Sequence, residues 1–221
     1  MVSDIRERLI EGGMRVLERD GLQSLSVRSL AAEVGTSTMA VYTHFGGMTG
    51  VIDALANEAF SRFTRVLTDA DQTDDPVCDF FVMGAAYRAF ALADPQRYQL
   101  IFGTTSPASV VGQRADVTST GSATDRAEWA ESFEALRDAV RRMIASGRIR
   151  DDGELNVAGR LWSLVHGAVM LELAGFFGHE GHGLTHVLAP LTVDCLVGMG
   201  DARAHTLRSL ASASEVLART G

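Results

Sequence analysis

Residues 26–45, SVRSLAAEVGTSTMAVYTHF, constrain this chain more than any other stretch. Two short segments of helical periodicity meet at Gly35. In the first, Leu30, Ala31 and Val34 share a face. In the second, Ala40, Val41 and Phe45 point one way, while Thr38, Met39, Tyr42, Thr43 and His44 point the other. Gly35 supplies the left-handed backbone that a tight turn needs. The small side chains of Ala31 and Ala32 are expected to let the two helices cross closely. Ser26 and Ser37 stand where N-caps belong. This is the sequence form of a helix-turn-helix, whose second helix can enter a DNA major groove. An ordinary helical hairpin inside a bundle fits the same periodicity.

The rest of the chain reads as all-α. A first helix is expected from Asp4 to Arg19, with Ile5, Leu9, Ile10, Gly13, Val16 and Leu17 inward and a stop at Asp20-Gly21. Gly46-Gly47 breaks the chain before a long helix over residues 49–70. Asp75-Pro76 and Asp94-Pro95 each pair a capping carboxylate with proline at the first helical position. Residues 103–124 are rich in Gly, Ser and Thr with little periodicity, and read as a mobile loop. Helical patterns return at 125–146, 154–177, 184–199 and 201–218. The organisation expected is a three-helix head over residues 1–48 and a larger helical body over 49–221.

Composition narrows the function. The 221 residues are 46 % apolar, enough for a proper core. No charge-free run reaches membrane-spanning length; 161–177 and 183–199 are interrupted by His166, Glu172, Pro190 and Asp194. The N-terminus opens on a charged helical pattern, not a secretory signal. Cys78 and Cys195 lack ligand-like spacing and read as reduced thiols of a cytoplasmic protein. The net charge of −8 argues against general nucleic-acid binding. Residues 1–50 carry five Arg against six carboxylates, so DNA affinity must come from a few placed contacts, helix N-termini and dimer avidity. Every basic residue is Arg, which suits phosphate and guanine contacts but also follows from a GC-rich coding bias.

The string from Ile5 to Phe45 resembles the N-terminal domain of the TetR family of bacterial transcriptional regulators. The shared features are a first helix ending in a Gly turn, Leu30-Ala31-Ala32-x-x-Gly35 and Val41-Tyr42-x-His44-Phe45. The resemblance implies DNA contacts from Thr36, Ser37, Thr38, Met39, Tyr42, Thr43 and His44. Arg28, early in the preceding helix, is placed for a phosphate or a base. One departure stands out. The family has Lys, an acidic residue and Leu just after the closing aromatic, whereas this chain has Met48-Thr49-Gly50-Val51. Without that ammonium, either weaker affinity or a contact from backbone N–H groups at the start of that helix is expected.

Helices 154–177 and 184–199 are apolar on nearly every face, so each must bury one side in its own core and another against a second subunit. A central helix of a monomer would give the same pattern. The resemblance favours a homodimer through these two helices, bound to a palindromic operator. The body also resembles the subgroup carrying Trp162-x-x-x-His166-Gly167. An effector pocket is expected from Phe63, Tyr87, Phe90, Phe102, Phe133, Trp162, His166 and Met170, although aromatics at helical spacing are more often plain core. His179, His182 and His186 could hold Zn²⁺ or Ni²⁺, but they sit among flexible glycines without a known ligand pattern, so no metal or other cofactor is assigned.

No nucleophile elbow, phosphate-cradling loop or acid–base pair points to an enzyme. The leading expectation is a sequence-specific DNA-binding regulator, a repressor released by a small, largely apolar effector. The alternative is a helical interaction protein that has lost DNA binding.

Overall fold

The computed structural model describes residues 4–69, 72–103, 106–178 and 180–220. Among them there is no strand, only an isolated antiparallel bridge between Arg114 and Thr124. Helix α1 (Ile5–Asp20) is capped by Asp4 and closed at Gly21, whose φ is +77°. Helix α2 (Val27–Val34) opens on a reciprocal capping box between Ser26 and Ser29. Gly35 then turns in the left-handed region, φ +68°. Helix α3 (Thr38–Phe45) is capped by Ser37, which accepts from the Ala40 N–H, and it stops at Gly46. Leu30, Ala31, Val34 and Val41 are buried between these helices.

Of the small pair expected at the crossing of α2 and α3, Ala31 is buried but Ala32 is exposed, and α1 adds a close approach of its own. Gly12 and Gly13 let α1 approach its neighbours. A methyl group at Gly13 would sit 2.9 Å from Leu55 Cδ2, and one at Gly12 would overlap Val34.

Helix α4 (Met48–Thr68) begins in the head and ends in the body. Its Val51 and Leu55 join the core around α1, and its Phe60, Phe63 and Leu67 join the core of the body. Helices α5 (Pro76–Ala93) and α6 (Pro95–Phe102) carry the two Asp-Pro starts: Asp75 accepts from the Val77 and Cys78 N–H groups, and Asp94 accepts from the Arg97 N–H. Among the described residues α5 alone is long and apolar enough to cross a membrane. It carries Asp79 and Arg88 and buries Val77, Phe80, Phe81, Tyr87 and Phe90 in the body, as a core helix does.

Residues 103–124 do not form the featureless loop expected. They contain two single-turn helices, α7 (Ala108–Val111) and α8 (Val117–Thr120). The Ala115 N–H donates to the Ala123 carbonyl and the Thr124 hydroxyl to the Gln113 carbonyl. These bonds join residues far apart along the segment, so local periodicity does not reveal them.

Helix α9 (Ala127–Ala145) precedes α10 (Glu154–Leu173), which ends four residues before the expected boundary; Gly175 turns the chain at φ +86°. The segment expected to be one helix over 184–199 is composite. Gly183–Leu188 is wound as a π-helix and passes into α11 (Ala189–Gly198). Pro190 has no N–H to offer the His186 carbonyl, which removes one α-type bond where the winding widens.

Helix α12 (Arg203–Thr220) packs on α5. Arg148 holds this corner together. It donates to both Asp201 oxygens at 2.8 Å and to Asp75 at 2.7 Å, while Ser209 donates to Asp75 at 2.6 Å.

Candidate functional site

Helix α3 presents a face with no covering element. Met39 is 70 % exposed and Tyr42 53 %, and Ser37, Thr38 and Thr43 are exposed beside them. Thr36 and His44 are half-buried, so His44 turns partly away from the outward face expected for it. Leaving Met and Tyr in water forfeits the gain of burying them, so this face is built for contact. The Thr43 hydroxyl donates to the Met39 carbonyl at 2.9 Å, which leaves its methyl group for apolar contact.

The arginines of the head are mostly committed. Arg6 lies over the Phe45 ring, Arg8 donates to the Val34 carbonyl, and Arg15 and Arg19 both pair with Glu33. Arg28 is exposed at the start of α2 and bonds no described residue, so its five N–H donors remain open. Where the Lys is missing, Gly47 gives α4 no side-chain cap, so the first amides of that helix stay open to an anion.

The body encloses an apolar cavity of about 200 Å³ between α4, α5, α6, α9 and α10, roofed by residues 110–124. Of the residues expected there, Phe63, Tyr87, Phe102, Phe133 and Trp162 line it; Phe90, His166 and Met170 do not. Phe90 packs on Phe63 and under the Arg97 guanidinium, while Met170 packs against the core from a half-buried position. His166 stands behind the wall. Its Nδ1 is 2.7 Å from the Tyr98 hydroxyl and 3.0 Å from that of Tyr87, and the two hydroxyls are 2.8 Å apart.

Burial pushes the Tyr87 phenol up to about 12 and raises Tyr98 as well, so both keep their protons. Burial, aided by the nearby Arg114 charge, lowers His166, which favours the neutral ring. With the ring proton on Nε2, Nδ1 accepts, and two phenolic protons serve three contacts: Tyr98 donates to Nδ1 over the shorter distance and Tyr87 donates to Tyr98.

Sequence reasoning missed Phe60, Trp129, Ser132 and Arg114 in the lining. Phe60 stacks on Trp129 at 4.5 Å between centroids, and the Trp129 Nε1–H donates to Asn57 at 2.8 Å. Helical spacing on α4 from Phe60 to Phe63 was a usable signal for Phe60. Arg114 had none, since its segment reads as a loop. A second apolar cavity, of about 280 Å³, lies between α5, the π-helical turn, α11 and α12, and shares Phe80, Gly84 and Val165 with the first.

An exposed α3 over a helical body with a cavity can be compared with known proteins. A model described as "Bacterial regulatory proteins, tetR family" matches residues 9–55. A second, described as "Tetracyclin repressor-like, C-terminal domain", matches residues 80–195, more than half of the chain. The chain belongs to the TetR family. It is therefore a DNA-binding transcriptional regulator and not an enzyme.

Individual TetR-family relatives are distant. The uncharacterized HTH-type transcriptional regulator Rv0681 of Mycobacterium tuberculosis is 25 % identical over 173 residues, covering 77 % of this chain and 71 % of that protein. The HTH-type transcriptional repressor AcnR of Corynebacterium glutamicum is 27 % identical over 187 residues, covering 83 % and 88 %. Among solved structures, a protein of unknown function from Rhodococcus sp. RHA1 superposes with a TM-score of 0.67 at 24 % identity, covering 89 % of this chain and 95 % of that one.

The histidine cluster is not assembled among the described residues. His182 and His186 are exposed with ring centroids 5.4 Å apart, and His179 lies outside those residues. No group of three or more His, Cys, Asp or Glu placed to hold a metal ion is present among them.

Proposed function

We propose that this TetR-family regulator is a cytoplasmic homodimer that represses transcription from a palindromic operator and is released by a small effector held in the cavity. Residues 1–48 form the reading head and 49–221 the effector-binding and dimerisation body, with α4 passing through both. The exposed Met39 and Tyr42 on an otherwise capped and packed α3 carry this reading. Thr36, Ser37, Thr38, Met39, Tyr42, Thr43 and His44 face the groove, and Arg28 and the α4 N-terminus take phosphates.

Support for the dimer is the apolar surface of α10, the turn after it and α11. Leu171 is 47 % exposed, Phe176 75 % and Leu191 45 % in the single subunit. Paired across a two-fold axis, these helices make a four-helix interface and set two α3 helices about 34–36 Å apart, one turn of DNA.

Coupling follows from shared elements. Phe60, Phe63 and Leu67 of α4 and Ile101 and Phe102 of α6 line the cavity, and both helices pack on α1. Asn57 of α4 also accepts from Trp129 and Arg126 on the cavity's far side. An effector that fits only a widened cavity favours another placement of α4, and so another spacing of the heads. Release then reflects differential affinity of the two states.

The test is retention of DNA from the regulator's own upstream region at moderate salt. Specific retention with competitor DNA present is the expected result; no retention of any natural promoter fragment overturns the reading.

A further inference from the structure

Nearly all polar groups facing the first cavity are spent within the protein. Thr124 donates its hydroxyl to the Gln113 carbonyl at 2.7 Å, and Ser132 donates to the Trp129 carbonyl at 3.0 Å. The Tyr87 hydroxyl belongs to the cluster with Tyr98 and His166. Arg114 is different. Its Nη2 donates to the Gly103 carbonyl at 2.9 Å and the Ser106 hydroxyl at 3.0 Å, which pins the guanidinium at the rim of the cavity, where the side chain is exposed to solvent. Its Nε and Nη1 donors bond no described residue, and among the described residues no carboxylate pairs with it. Elsewhere in the body Arg88, Arg97, Arg142 and Arg148 each meet a carboxylate at 2.6–2.8 Å.

Among the described residues Arg114 is also the only charged side chain in a lining that is otherwise almost wholly aromatic and aliphatic. It lies close enough to His166 for its charge to add to burial in lowering that ring. An apolar ligand body can fill this cavity while its head group meets the open donors at the rim. A ligand with one negative charge would satisfy them. A phosphate monoester, with nearly two charges, would exceed what one guanidinium balances.

We propose that the effector is an amphipathic monocarboxylate. Its head group is held by the open donors of Arg114, and its apolar body lies among Phe60, Phe102, Trp129 and Phe133. This rests on the cavity being the effector site, as set out under Proposed function.

The test uses the full-length protein and one apolar body in three charge states: phenylbutyrate, its amide and its amine. Trp129 and Trp162, the only tryptophans, both line the cavity, so their fluorescence reports binding directly. The carboxylate is expected to bind about tenfold more tightly than the amide, the scale of a charge-assisted hydrogen bond. The amine is expected not to bind. Arg114→Gln should bring the carboxylate to the level of the amide while amide affinity is unchanged, and Arg114→Lys should keep part of the difference. Should the Gln variant fail to fold, the three wild-type affinities and the Lys variant decide the question.

Equal binding of amide and carboxylate by the wild type overturns the proposal. So does a preference that survives in Arg114→Gln, or no carboxylate binding at millimolar concentration. An Arg114-dependent carboxylate that leaves operator affinity unchanged would support the site and refute the effector role. Release of DNA by a neutral ligand, with no carboxylate binding, would do the reverse.

Discussion

Tyr42→Ala separates recognition from stability. Just over half of the side chain is exposed, so its removal sacrifices little burial. Alanine is also the better helix former, by up to about 0.7 kcal/mol. The two effects oppose each other, and the melting temperature should move by only a degree or two, within the range of about ±0.5 kcal/mol usual for surface changes. Operator binding should respond very differently. A contact to a base edge is worth about 1–3 kcal/mol, and a dimer loses two, so affinity should fall by about 2–6 kcal/mol. Even the lower figure weakens Kd about thirtyfold. Fluorescence anisotropy with a labelled operator at several salt concentrations measures this. The salt slope should stay unchanged for Tyr42→Ala, whereas Arg28→Ala should flatten it by about one per subunit if Arg28 meets a phosphate. A Tyr42→Ala protein that binds within about threefold of wild type refutes the placement of α3 in the groove.

Other perturbations probe the body. Burial pushes Asp201 up, but the bonds from Arg148 and Thr206 hold it below the usual carboxylate range. Arg148→Met would strand that carboxylate and should cost about 3–5 kcal/mol in urea unfolding; a loss below about 1 would show that the cluster is not a buried pair in effect. His166 is held below its ordinary value of 6.5, chiefly by burial, so the unfolded chain binds the extra proton first as pH falls below 6.5. Stability should therefore decline on acidification through that window, and His166→Asn should remove this part of the slope. Identical slopes in both proteins would contradict the buried neutral ring. Leu191→Arg should convert the dimer to monomer in sedimentation and abolish operator binding at the same protein concentration; a dimer that persists would move the interface elsewhere.

What the sequence disclosed was the chemistry of near neighbours. Ser26, Ser37, Asp75 and Asp94 cap helices three residues or fewer away, and Gly35 and Gly46 turn where the periodicity breaks. What it concealed depends on distant partners. The order in residues 106–124 comes from Arg114 reaching back to Gly103 and Ser106 and from Thr124 closing on Gln113. Of the two small residues expected at the crossing of α2 and α3, Ala31 is buried there and Ala32 is exposed, while the close approach of α1 at Gly12 and Gly13 depends on its rotation against α2 and α4, a tertiary matter. The cavity shows the same limit. Trp162 lines it while His166, one turn on, sits behind a wall of tyrosines. Helical spacing identifies a face but not which residues along it meet a void.

The central claim is that two copies of α3, held at a fixed separation, read duplex DNA. Selection of bound duplexes from a random pool, with the mass of the complex measured on the selected sequence, tests it most directly. The account requires inverted half-sites whose centres lie about one helical turn, or a whole number of turns, apart, each bound by one subunit of a dimer. A single asymmetric site bound by one subunit, or no enrichment at all, would contradict it.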